Sequence, residues 1–204
     1  MARERVLILG AAGRDFHNFN LFFRDQGRYE VVGFTAAQIP GIAYRSYPPE
    51  LAGPLYPRGL PIWPEVGLEE IIQEEGVERC ILAYSDLSAQ EVIDLASRVL
   101  ASGADFGLLS GEHTMLKSRL PVIAVTAVRT GAGKSPAARY VSRILRQWGL
   151  KPVVVRHPMP YGDLLAMRVQ RFLALEDLDR AGVTMEEREE YEAHLKEWTP
   201  VLAG

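Results

Sequence analysis

Arg129-Thr130-Gly131-Ala132-Gly133-Lys134-Ser135 lies between an apolar run at residues 120–126 and a helix-period segment at 136–148. Strand, glycine-bearing turn and helix in that order are what a phosphate-binding P-loop (Walker A) requires. Glycines let consecutive backbone N–H groups turn inward around phosphate oxygens, and the helix N-terminus adds positive potential. Lys134 is then expected to reach the β- and γ-phosphates of a nucleoside triphosphate, and the Ser135 hydroxyl to ligate Mg2+. Pro136 fits a helix beginning near Lys134, because proline is tolerated in a first turn where its missing N–H has no intrahelical partner. One position departs from G-x-x-x-x-G-K-[ST]: Val128 stands where the first glycine belongs, with Arg129 one place later. The bland alternative is a glycine turn carrying a surface lysine.

Two further segments carry candidate chemistry. Arg156-His157-Pro158-Met159-Pro160-Tyr161-Gly162-Asp163 follows an apolar run at 151–156. Loops at the carboxyl ends of strands are where open α/β sheets bind ligands. Arg156 and His157 suit anionic substrate oxygens, and Asp163 suits Mg2+ or a proton; a proline-shaped loop with a solvated Asp is the competing view. The third segment is Gly10-Ala11-Ala12-Gly13-Arg14, after the first apolar run. Gly10, Gly13 and Arg14 make it a candidate anion site, with His17 nearby. As a dinucleotide fingerprint it is weak: alanine replaces the second glycine, and the second strand ends Gly33-Phe34-Thr35 with no acid for a ribose hydroxyl.

These residues need a scaffold, and short β-rich runs alternating with helical segments predict a parallel sheet covered by helices, an α/β fold. Strands are expected at 6–9, 29–35, 79–83 and 105–109, with helices at 16–26, 68–75 and 88–102. Residues 38–67 hold seven prolines and are expected to contain no long regular element, being functional or held down by their tyrosines. A boundary after residue 117 gives a Rossmann-like N-terminal domain (1–117) and the start of a P-loop NTPase domain (118–204). The second domain is expected to hold strands at 120–126 and 151–156, helices at 136–148, 168–179 and 184–195, and a strand beginning at 200–204. No apolar strand ending in Asp follows Ser135 to help hold Mg2+, so the sequence is expected to be part of a longer protein, with this piece inactive alone. The charge run 186–192, His113 and His194 are expected in loops and on a solvated helix face. Cys80, the single cysteine, lies in an apolar run and is expected to be a buried core thiol. A net charge of -3 gives no reason to expect nucleic-acid or anionic-membrane binding. No apolar run approaches a membrane span, and a cytoplasmic location is the default.

Residues 124–136, the Val153–Leu164 stretch with its Arg-His-Pro-Met-Pro-Tyr-Gly-Asp run, and Glu187-Arg188-Glu189-Glu190-Tyr191-Glu192 together resemble cyclic 2,3-diphosphoglycerate synthetase and its relatives. Residues 10–20 are also similar. The resemblance implies a chain about twice this long, ATP-dependent ligase chemistry on a small phosphorylated acid such as 2,3-diphosphoglycerate, and Mg2+. It also implies a P-loop of the class in which a basic residue, here Arg129, reaches a phosphate across a homodimer interface. Lys134, Arg129 and Mg2+ would handle ATP, with GTP possible, while Arg156 and His157 receive the polyanionic substrate. The alternatives are a GTPase-type switch or metallochaperone acting on a protein partner, and a binding module that senses a nucleotide or CoA-like ligand.

Overall fold

The computed structural model describes residues 2–37, 41–84, 87–127 and 131–204. They form two compact units, Met1–Lys117 and Ser118–Gly204.

The first unit is built on a six-stranded sheet. Its strands are β1 (Glu4–Leu9), β2 (Tyr29–Ala36), β3 (Ser46–Tyr47), β4 (Leu60–Pro64), β5 (Arg79–Leu82) and β6 (Asp105–Leu108), in the order β3-β4-β2-β1-β5-β6. All neighbours are parallel except β3 and β4. Without the short β3, the parallel strands run third-second-first-fourth-fifth in chain order, the Rossmann-like arrangement that reverses between β1 and β5. Val6, Leu7, Ile8 and Leu9 are all fully buried, as expected where helices or loops cover both faces of a parallel sheet.

Helices α1 (Arg14–Asn18), α2 (Pro49–Ala52), α3 (Leu68–Glu74), α4 (Ala89–Ala101) and α5 (Gly111–Thr114) complete this unit. On one face Leu7, Leu9, Cys80 and Leu82 meet Leu68 and Ile72 of α3 and Leu95 and Val99 of α4. Burial pushes the Cys80 thiol up to about 12, in keeping with a core residue. Helix α4 starts where expected: the Ser88 hydroxyl accepts from Glu91 N at 3.3 Å, and the Glu91 carboxylate accepts from Ser88 N at 2.7 Å.

The other face is aromatic. Phe16 and Phe19 stand 5.0 and 5.7 Å from Phe34, and Tyr47 lies 4.8 Å from Phe16. Here the expected helix over 16–26 is divided into α1 and a π-helical turn, Phe19–Phe23, whose wider turn buries both Phe19 and Phe23. The proline-rich connection is held down by its tyrosines as expected: Tyr47 hydroxyl donates to Asn20 at 3.1 Å, and Tyr56 hydroxyl accepts from Val31 N at 3.2 Å. It nevertheless contains β4, a strand that the prolines concealed. Pro61 needs no N–H there, because Ile62 N makes the bond to Arg45 O at 3.0 Å.

The second unit holds β7 (Val154–Arg156), β8 (Gln170–Phe172) and β9 (Val201–Ala203) in the order β7-β9-β8, with β7 parallel and β8 antiparallel to the central β9. Its helices are α6 (Lys134–Gln147), α7 (Leu175–Ala181) and α8 (Met185–Leu195). Phe172, Leu178, Tyr191, Leu195 and Val201 form its core.

Two expectations for this unit fail. Residues 121–127 form no strand: Leu120, Val122 and Ile123 are 77%, 71% and 59% exposed. A strand needs a hydrogen-bonding neighbour, and no strand among the described residues pairs with this segment. Residues 168–179 are not one helix but a 3-10 turn (Ala166–Arg168), β8 and α7. Asp177 sets the late start of α7 by accepting from Leu173 N and Ala174 N at 2.7 and 3.0 Å.

Gly59 sits at φ +71°, and a Cβ there would collide with the Tyr47 carbonyl and crowd Pro49 N at 3.2 Å. Gly59→Ala is expected to destabilise the first unit by about 1–3 kcal/mol, the usual cost of a left-handed non-glycine residue. Urea unfolding checks this; wild-type stability in the variant would contradict it.

Candidate functional site

Gly131 and Gly133 adopt φ +78° and +87°, and Gly133 leads directly into α6. Such positive φ values turn backbone N–H groups toward one side, which suits an oxyanion. Helix α6 begins at Lys134, with Ser135 second and Pro136 third, so Pro136 falls where no intrahelical donor is needed. Lys134 is half-buried and makes no ion pair among the described residues. Arg129 and Thr130 lie outside the described residues; Ala132 sits exposed between the two glycines.

The structure joins Ser135 to two residues distant in sequence. Its hydroxyl donates to Glu190 Oε1 of α8 at 2.6 Å, and Arg156 Nη2, at the end of β7, donates to Glu190 Oε2. Glu190 and Arg156 also form an ion pair, with side chains 19% and 33% exposed. One turn earlier on α8, Glu187 is buried and bridges two segments. Its Oε1 accepts from Met159 N at 2.7 Å, while its Oε2 accepts from Thr184 N at 2.9 Å, half of the expected capping box. Glu187 thus ties the Arg156–Asp163 loop to the start of α8.

The expectation of a solvated face over residues 186–192 is corrected here. Glu187 is 7% exposed, Tyr191 1% and His194 1%, so the row at three- and four-residue spacing faces inward. Within it, the Tyr191 hydroxyl, His194 Nδ1 and Arg156 Nε are buried without a hydrogen-bond partner among the described residues. Burial first, then the Glu187 and Glu190 charges, push the Tyr191 hydroxyl up to about 12, partly opposed by Arg156. His157 and Asp163 are exposed. Asp163 Oδ1 accepts from Leu165 N at 2.9 Å, so this carboxylate holds the following turn. Neither hydrogen-bonds or ion-pairs with Ser135, Glu190 or Arg156 among the described residues.

The Gly10–Arg14 segment is arranged differently from an anion site. Gly10 has φ +129°, and Asp15 folds its own carboxylate into the turn, accepting from Ala12 N at 2.6 Å and Phe16 N at 2.8 Å. Two donors that a phosphate could use, Ala12 N and Phe16 N, are therefore answered by a buried carboxylate, which would repel it. Gly13 precedes a helix of only five residues, Arg14 is exposed, and His17 Nε2 donates to the Thr114 carbonyl at 2.6 Å. An acid does reach the carboxyl end of β2, from the turn after β4: Glu65 Oε2 accepts from Thr35 Oγ1 at 2.8 Å and Tyr84 hydroxyl at 2.9 Å. Burial, reinforced by Glu65, raises the Tyr84 hydroxyl well above its ordinary value. Sequence spacing carried no signal for this grouping.

No protein-family model matches the chain. It is 59% identical over 202 residues to arginine synthetase ArcE of Thermococcus kodakarensis, an alignment covering 99% of this chain and 45% of that protein. The chain therefore spans about half the length of the curated relative it matches. Among solved structures, UDP-D-quinovosamine 4-dehydrogenase from Vibrio fischeri aligns over 53% of this chain and 80% of its own, at 19% identity and a TM-score of 0.41. No helix among the described residues is long and apolar enough to cross a membrane.

His194 gives this region a pH dependence. Burial lowers its pKa from the ordinary 6.5; Arg139 and Arg156 act the same way, while Glu190 and Glu197 oppose them. The unfolded chain then takes up the proton more readily than the folded one, so stability is complete above the ordinary imidazole pKa and is lost as pH falls through it. Urea unfolding at stepped pH below 7 is expected to show this loss, with a shallower slope in His194→Phe. An unchanged slope would remove His194 as its source.

Proposed function

We propose that the second unit is a nucleoside-triphosphate site of the P-loop kind and that the whole chain serves an ATP-dependent ligase-type synthetase. The observation that carries this reading is the start of α6, although residues 121–127 before it form no strand: two left-handed glycines, then Lys134 and Ser135, with Arg156 brought alongside through Glu190. Lys134 would neutralise the β- and γ-phosphates, the helix N-terminus would receive phosphate oxygens, and Arg156 would stabilise charge on the transferring group. Arg129, from a facing protomer of a homodimer, and Thr130 belong to the same proposal.

The donor set fits Mg2+. Ser135 offers a hydroxyl oxygen whose proton is given to the Glu190 carboxylate, which leaves an oxygen lone pair for a hard cation that otherwise takes phosphate oxygens and water. Ser135 would hold the ion, and the chemistry supplied there would be neutralisation of phosphate charge. The chain's own residues supply position: Ser135 fixes the depth of the nucleotide, and Glu187 holds the loop carrying His157 and Asp163, where a second substrate would lie.

Substrate chemistry divides two readings. The resemblance to cyclic 2,3-diphosphoglycerate synthetase implies a small phosphorylated acid. The relative at 59% identity is named for arginine synthesis, which favours an amino-acid substrate for this chain. Both need ATP to activate an oxygen for displacement, and positioning and charge neutralisation are common to them. The first unit, with its Rossmann-like strand order, completes the proposed architecture.

Calorimetric titration of Mg·ATP and Mg·GTP into the chain, beside Lys134→Ala, tests the site. Wild-type chain is expected to bind Mg·ATP, and the variant to lose at least about tenfold in affinity, equivalent to 1.4 kcal/mol for one charge-assisted contact. Equal affinity of the two proteins would defeat the P-loop reading, and a strong preference for GTP would favour a switch over a ligase.

A further inference from the structure

A P-loop serine can ligate a cation well only if its hydroxyl proton points elsewhere, leaving an oxygen lone pair toward the metal. That requires an acceptor on the far side, held in place and charged. In many such sites the acceptor is an aspartate at the end of a later strand. In this structure the Ser135 hydroxyl has such an acceptor on α8.

Resting on the P-loop reading above, we infer that Glu190 of α8 is a positioning carboxylate of the cation site, orienting Ser135 toward Mg2+. Glu190 Oε1 takes the Ser135 hydroxyl hydrogen at 2.6 Å. Oε2 is engaged by Arg156. With both oxygens committed, Glu190 acts through Ser135 and does not itself need to enter the first coordination sphere. Arg156 points the carboxylate through its own hydrogen bond to Oε2, while its Nε remains buried without a partner among the described residues. The fully buried Tyr191 hydroxyl, next in sequence, is likewise unpartnered among those residues. Ser135, Glu190 and Arg156 thus form one partly buried cluster in which the Arg156 Nε donor has no acceptor among the described residues.

The roles of Glu187 and Glu190 separate cleanly. Glu187 serves the backbone at Thr184 and Met159, so its contribution is architectural. Among the described residues Glu190 hydrogen-bonds to the side chains of Ser135 and Arg156, and both belong to the proposed nucleotide site.

The test compares ATP binding by calorimetry in EDTA and in excess Mg2+ for wild type, Ser135→Ala, Glu190→Gln and the double variant, with thermal unfolding of each. Mg2+ is expected to tighten ATP binding in wild type. Loss of an outer-shell partner usually costs about tenfold to a hundredfold in metal affinity, so Glu190→Gln should lose most of the tightening between EDTA and Mg2+. The double variant should match Ser135→Ala, since the two residues act as one unit. Retention of the wild-type tightening in Glu190→Gln overturns the inference but leaves the P-loop reading intact if binding still needs Lys134. If Glu190→Gln fails to fold, Ser135→Ala decides: tightening that survives there means that no Ser135 ligand exists to be positioned. Absence of ATP binding by wild type in either condition overturns both readings.

Discussion

The second unit depends on an inward-facing pair of carboxylates, Glu187 and Glu190, one turn apart on α8. Between them they fasten the start of α6, the end of β7 and the loop beyond it to a single helix. Partly buried carboxylates are costly unless each oxygen is answered, and here every oxygen has a donor: a hydroxyl, a guanidinium and two backbone amides. The arrangement converts three segments separated by dozens of residues into one cluster. It also explains why α8 is stable although its apolar content gives it no clear hydrophobic stripe: its attachment is ionic and hydrogen-bonded on one side, with Tyr191 and Leu195 reaching the core.

The first unit solves a different problem by ordinary means. Its central strands are buried on both faces, one by aliphatic side chains of α3 and α4, the other by an aromatic cluster that extends into the proline-rich connection. Tyr47 and Tyr56 give that connection the buried contacts that its irregular backbone lacks. At the carboxyl ends of the strands, polar groups are already paired among themselves: Asp15 with the turn after β1, Glu65 with Thr35 and Tyr84. Lys134 of the second unit, by contrast, makes no ion pair among the described residues.

Much of this was legible in the residue order. Local patterns gave β1, β2, β5, β6, α4, α6 and the capping box of α8 to within a few residues, because each is set by side chains a few positions apart. Periodicity also showed the α/β class. It failed at β4, where prolines disguise a strand whose hydrogen bonds bypass Pro61, and at 168–179, where Asp177 delays a helix that apolar spacing alone would start earlier. It failed again at 120–126, where apolar residues of strand type pair with no strand among the described residues.

What the sequence by itself determined was the set of local elements and the chemical character of the loop at Gly131–Ser135: glycines, a lysine and a hydroxyl at the start of a helix. What only the tertiary structure decided was which charges face inward. A run of glutamates looks solvated when only apolar residues are counted, since charge pairing across distant segments leaves no periodic trace. The meeting of Ser135, Arg156 and Glu190 depends on how α6, β7 and α8 come together, and that is a property of packing rather than of spacing along the chain.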